Sequence, residues 1–154
     1  MSNATRYFED LEVTTNYSES SVRTITEQEI VDFAALYDPQ YFHADAVAAK
    51  DSRFGSVIAS GIQVMAIWRA LDHEIAQDIA WICGVAWNNV RWHNAVRPGD
   101  QLRARARCTE KRVSDSDATR GVVTIDYQLM NQHDHCVWSC ESINLVERRT
   151  SDDL

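Results

Sequence analysis

The feature that most constrains this chain is the stretch over residues 60–77, "SGIQVMAIWRALDHEIAQ", together with the change of hydrophobic period just after it. Val64, Ile67, Trp68, Leu71 and Ile75 recur at helical spacing, and Ile62, Met65 and Ala66 fill in the other side. Only Gln63 and Arg69 interrupt the first half. A helix that is apolar nearly all round has to be buried. From residue 80 the hydrophobic period drops to two. Residues 80–93 are apolar on both faces, as expected for a central strand. Over 100–113, Leu102, Ala104, Ala106 and Cys108 alternate with Arg103, Arg105 and Arg107. Residues 120–131 and 136–147 read as two further strands, with a polar hairpin loop over 114–121 and a turn over 132–135. Connections this short imply antiparallel pairing. One amphipathic sheet and one apolar helix have one good packing solution, in which the sheet curls around the helix. The α+β class follows.

The segment ahead of the helix carries the chemistry-bearing residues. Residues 17–25 read as a strand. Thr26 and Glu29 form a capping box, and the helix it opens carries Ile30, Phe33, Ala34 and Tyr37 on one face. Pro39 disfavours helical geometry at Asp38 and stops that helix. Residues 44–50 read as a further helical turn. In "YDPQYFH" an Asp and a His therefore lie five residues apart around a proline, inside an otherwise apolar region. Such a pair is either a satisfied polar turn or an acid–base couple.

The sequence has 154 residues and reads as one domain over 1–154, with a frayed tail from about residue 148. A net charge of −8 argues against binding to nucleic acid or an anionic membrane surface. No apolar run approaches a membrane span, and no signal peptide is visible, so a cytoplasmic protein is the expectation. Cys83, Cys108, Cys136 and Cys140 lie in apolar, strand-like segments and read as buried free thiols. His133 and His135 read as solvent-facing residues of a turn, and no metal site is expected.

Three stretches, in this order, resemble one family. "YDPQYFHAD" resembles a hydratase motif in which an Asp is followed five residues later by His and then by an acidic residue. "FGSVIASG" (54–61) resembles a loop entering a central helix, and "VRWHNAVRPGDQL" (90–102) a turn ending in Arg/Lys-Pro-Gly-Asp. The family is the MaoC-like, (R)-specific enoyl-CoA hydratases, and the similarity runs from about Phe8 to Val146. The family's best-characterised motif has Asn-Pro where this chain has Gln40-Tyr41, and here the proline follows Asp38.

The resemblance implies a hot-dog fold, a sheet wrapped around a long buried helix. It implies an acyl-CoA hydratase/dehydratase with Asp38 and His43 as its catalytic dyad, an oxyanion hole at Gly61, and Ser60 as a cap or an orienting group. It implies a homodimer and no cofactor beyond the coenzyme A of the substrate. Arg103, Arg105, Arg107 and Arg91, with Arg97 and Arg53 flanking, are candidates for its phosphates. Asp38, placed just past a helix C-terminus, is expected to have a raised pKa. Two other readings stay open: a hot-dog thioesterase, and a non-catalytic acyl-CoA or acyl-carrier binding subunit.

Overall fold

The computed structural model describes residues 4–149. Two short strands, β1 (Ser18–Glu19) and β2 (Arg23–Thr24), stand where one strand is expected over 17–25. Helix α1 (Glu27–Tyr37) begins at the capping box: Thr26 Oγ1 accepts the Glu29 N–H at 3.2 Å, and Glu29 accepts the Thr26 N–H at 2.8 Å. A four-residue turn of helix, α2 (Tyr41–Ala44), and a 3-10 turn (Ala48–Asp51) follow. The apolar stretch forms α3 (Gly61–Ala76), capped by Ser60. Four long strands complete the fold: β3 (Trp81–Trp92), β4 (Gln101–Val113), β5 (Arg120–Met130) and β6 (Cys136–Glu147).

The sheet order is β1-β4-β5-β6-β3, with β2 also on β4, and every strand pair is antiparallel. The sheet's inner face carries the alternating apolar set. Leu102, Ala104 and Ala106 of β4, Val123, Ile125, Tyr127 and Leu129 of β5, and Val137 and Trp138 of β6 are all buried. They form one core with Val64, Ile67, Trp68 and Leu71 of α3. Trp68 anchors it, with ring centroids 4.5 Å from Trp138 and 4.9 Å from Tyr127. The core helix also buries Asp72, beside Arg69 on the same helix, and burial raises the Asp72 pKa.

Three expectations need correction. Strand β3 is not central but lies at the sheet's edge, bonded to β6 alone. Ile82, Val85, Trp87 and Trp92 are exposed along it, so its apolar side chains belong to a surface that one chain leaves uncovered. Helix α3 is likewise open on one side: Ile62 is 57% exposed, although the stripe facing the sheet is buried. Of the cysteines expected to be buried, Cys83, on the same edge, is exposed and Cys136 is only half-buried; all four are free thiols. Of the tail expected to fray, residues 150–154 lie outside the described residues. Arg148 and Arg149 are paired with Glu9 and Asp10 at 2.9 and 2.7 Å.

Candidate active site

Asp38 and His43 are brought together by a tight reversal between α1 and α2. Asp38 is the C-cap of α1 and donates its N–H to Ala34 O at 2.9 Å. Pro39 ends the helix, and the Gln40 N–H returns to the Asp38 carbonyl at 2.8 Å. Gln40 then opens α2, its carbonyl accepting the N–H of His43 at 2.8 Å and of Ala44 at 2.9 Å. One turn of helix suffices to carry His43 back toward Asp38. The loop entering α3 completes the placement. Ile58 donates its N–H to Phe42 O at 3.1 Å and accepts from His43 Nδ1 at 2.7 Å.

That last contact fixes a proton. A carbonyl oxygen can only accept, so Nδ1 carries the hydrogen. In the neutral ring, Nε2 is then an acceptor. It faces Asp38 Oδ2 at 3.6 Å, beyond direct hydrogen-bond distance. Two acceptors thus face each other over a gap that a two-proton donor such as water can satisfy. His43 is buried; Asp38 keeps 19% of its side chain exposed.

The expected rise in the Asp38 pKa is not found. The Ser60 hydroxyl donates to Oδ2 at 2.6 Å, and the Gln40 amide donates to Oδ1 at 3.1 Å. These two bonds, with Ser60 the larger influence, hold the carboxyl below its ordinary value; desolvation opposes them, and the charge of His43 adds to them slightly.

Ser60 also caps α3, its oxygen accepting the Ile62 N–H at 3.3 Å. Gly61 is the first residue of α3, and among the described residues its N–H has no hydrogen-bond partner. The close neighbour that explains the glycine is Trp92. A Cβ at Gly61 would lie 3.0 Å from the indole, whose Nε1 donates to Gly61 O at 3.1 Å. Register shifts in β3 between Asn88 and Arg91, with Asn89 at φ 52°, bend the strand just before Trp92. A cavity of about 260 Å³ opens here, lined by His43, Phe54, Ile58, Gly61, Val64 and Trp92 among others. Asp38 and Ser60 do not line it; each adjoins a residue that does, Asp38 facing His43 and Ser60 preceding Gly61.

The arginine row lies elsewhere. Arg103, Arg105 and Arg107 alternate with the buried residues of β4 and so occupy the outer face of the sheet. Each is engaged there: Arg103 with Asp134 and Glu19, Arg105 with Glu19 and Gln128, Arg107 with Asp126 at 2.9 Å. Tyr17 covers the pair, 4.9 Å from the Arg105 guanidinium and 4.5 Å from that of Arg107. Arg97 holds the loop before α3 through Phe54 O at 2.6 Å. Arg53 and Arg91 are exposed and form no ion pair among the described residues. They flank the cavity in sequence, next to Phe54 and Trp92. His133 and His135 are exposed on the turn after β5.

Sequence reasoning noted Gln40 only as a departure from the motif and gave neither it nor Trp92 a role. Both lie inside the stretches that carried the resemblance. A polar side chain beside the candidate carboxylate, and a large aromatic paired with a glycine, were the available signals.

Known relatives place this geometry in a family. A sequence model of the family described as MaoC like domain matches residues 10–129. The YdeM protein of Bacillus subtilis, itself uncharacterized, is 32% identical over 127 residues, which are 80% of this chain and 87% of that protein. The crystal structure of the MaoC-like dehydratase from Rhodospirillum rubrum superposes with a TM-score of 0.86 at 31% identity, over 94% of this chain and 99% of that one. R-hydratase PhaJ1 from Pseudomonas aeruginosa shares the fold, with a TM-score of 0.75 at 23% identity over 93% of this chain and 86% of that one. A curved antiparallel sheet around α3 is the hot-dog fold, and by sequence and architecture together the chain belongs to the MaoC-like dehydratase family.

Proposed function

We propose that the protein is an acyl-CoA hydratase/dehydratase that adds water reversibly across the double bond of a 2-enoyl thioester. The observation that carries this reading is the gap between His43 Nε2 and Asp38 Oδ2, with the Nδ1 proton of His43 committed to Ile58 O. A water held there donates to both groups. Its oxygen attacks Cβ, the pair takes one of its protons, and a proton from the pair arrives at Cα. The dyad ends as it began. Each proton transfer by a positioned group is worth roughly 10²–10⁴ in rate.

Charge builds on the thioester oxygen as Cβ is attacked. The free N–H of Gly61, at the positive end of a 16-residue helix and in the wall of the cavity that His43 also lines, suits that oxygen. Ser60 links the two halves by donating to Asp38 while capping that helix. The reaction as written calls for no metal or redox cofactor. Arg53 and Arg91, rather than the engaged row on β4, are the cations we assign to the phosphates of coenzyme A.

A homodimer fits the uncovered apolar strip. Val85, Trp87 and Trp92 on β3 and Ile62 on α3 are each about half exposed, along a strand edge with unpaired backbone groups. Four free thiols accord with a reducing compartment such as the cytoplasm. The thioesterase reading would need a carboxylate on α3 near the cavity. Asp72 is fully buried, and Glu74 bonds Ser21; both lie about 16 Å or more along the helix from Gly61.

The test is an absorbance assay with a panel of 2-enoyl-CoA thioesters on the wild type, Asp38→Asn and His43→Ala. Hydration by the wild type and its loss in both folded variants is expected. Release of free thiol instead would establish the thioesterase reading, and absence of any turnover the binding-subunit reading.

A further inference from the structure

We infer that Gln40 is a positioning residue for the dyad, holding the Asp38 carboxylate so that only Oδ2 faces His43. This deepens the hydratase reading and rests on it for its effect on rate.

The backbone sets the geometry. Pro39 restricts the chain between Asp38 and Gln40, and the Gln40 N–H closes on Asp38 O at 2.8 Å. This tight closure turns the Gln40 side chain back over the residue two before it. Its amide donates to Asp38 Oδ1 at 3.1 Å. The opposite oxygen, Oδ2, receives the Ser60 hydroxyl at 2.6 Å and lies 3.6 Å from His43 Nε2. The carboxylate is thus held at both oxygens, and rotation about Cβ–Cγ would break both bonds.

Gln40 also governs the other partner. Its carbonyl accepts the N–H groups of His43 and Ala44 and so starts the single turn that bears the imidazole. One residue therefore touches Asp38 through its side chain and His43 through its main chain. The placement is specific to a Pro-Gln order after the aspartate. A glutamine amide one residue later would fall inside α2, and without Pro39 the return of the Gln40 N–H would not be enforced. A wall that fixes a reacting group within about half an ångström is worth a large factor in rate, since small misplacements are costly.

The variants are Gln40→Met, which keeps length but has no donor, and Gln40→Glu, which adds a like charge. The side chain is exposed, so folding should be retained, and this is checked by circular dichroism. The carboxyl of Asp38 is followed by ¹³C NMR titration in wild type and both variants. Its midpoint should move up in Gln40→Met and further in Gln40→Glu, because a bond to the charged form is lost. In steady-state kinetics kcat should fall roughly tenfold in Gln40→Met with KM within about twofold. The acidic limb of kcat/KM should move up with the titration. An unmoved Asp38 midpoint overturns the inference, and so does an unchanged kcat in an enzyme that hydrates. A wild type that hydrates nothing defeats the proposed function instead, and the titration still decides whether Gln40 holds the carboxylate.

Discussion

The Ser60 hydroxyl donates to Asp38 Oδ2 across 2.6 Å while its oxygen accepts the Ile62 N–H at 3.3 Å. One atom therefore ties the Asp38 carboxylate, at the end of α1, to the first turn of the core helix. The two residues are 22 apart in sequence, and the loop before Ser60 is held to α2 by the contacts of Ile58 with Phe42 and His43. Both the ionisation of Asp38 and the start of α3 depend on it.

Ser60→Ala should therefore do two things at once. Losing the cap should cost about 1 kcal/mol of stability, read as a lower urea midpoint. Losing the larger of the two donors should raise the Asp38 pKa toward its ordinary 3.8. In the wild type the folded value is depressed, so Asp38 contributes stability above the unfolded value that is lost as pH falls through the folded one. The stability of Ser60→Ala should accordingly vary less than that of the wild type as pH falls from above the ordinary carboxylate value to below it, and its activity should fail at a higher pH. Identical acid limbs in the two proteins would refute the assignment of this bond.

Gly61→Ala introduces a Cβ 3.0 Å from the Trp92 indole. The indole is half-exposed, so it should swing away rather than unfold the helix, breaking its bond to Gly61 O. The expected result is a fold retained by circular dichroism, altered tryptophan fluorescence, and kcat reduced by at least roughly tenfold as the added methyl crowds the thioester oxygen. Wild-type kcat with a displaced Trp92 would remove Gly61 from the oxyanion role.

In the proposed homodimer, strand β3 offers its bare edge to a second copy. Val85→Lys places a charge at a side chain that is 55% exposed in the single chain. The wild type is expected to elute and scatter light as a dimer, and Val85→Lys to shift to monomer without loss of secondary structure. A monomeric wild type at micromolar concentration would leave the apolar edge without this explanation.

Much of the local structure was legible in the residues. The capping box at Thr26 and Glu29 formed as written, because it needs only a turn of backbone and two side chains. The alternation in β4 and β5 appeared intact, since a sheet with one buried face forces period two. Strand β3 could not be placed the same way. An apolar strand covered by neighbours and one left at a sheet edge carry the same letters. The Asp38 pKa failed for a related reason. Its helix end is a local feature, but the Ser60 hydroxyl that lowers the pKa arrives from a distant segment.

Residue order alone determined that an apolar helix must be wrapped by a sheet, and that an aspartate and a histidine sit on either side of a proline-made reversal. Those outcomes depend on periodicity and on steric rules acting over a few residues. Only the tertiary structure decided which proton His43 carries, because Ile58 O reaches Nδ1 through packing and not through spacing. It likewise decided that the arginines of β4 face away from the site, engaged with carboxylates from other strands and loops. Hydrogen bonds and ion pairs act over a few ångströms, and which groups come within that distance is set by the packing of the whole chain.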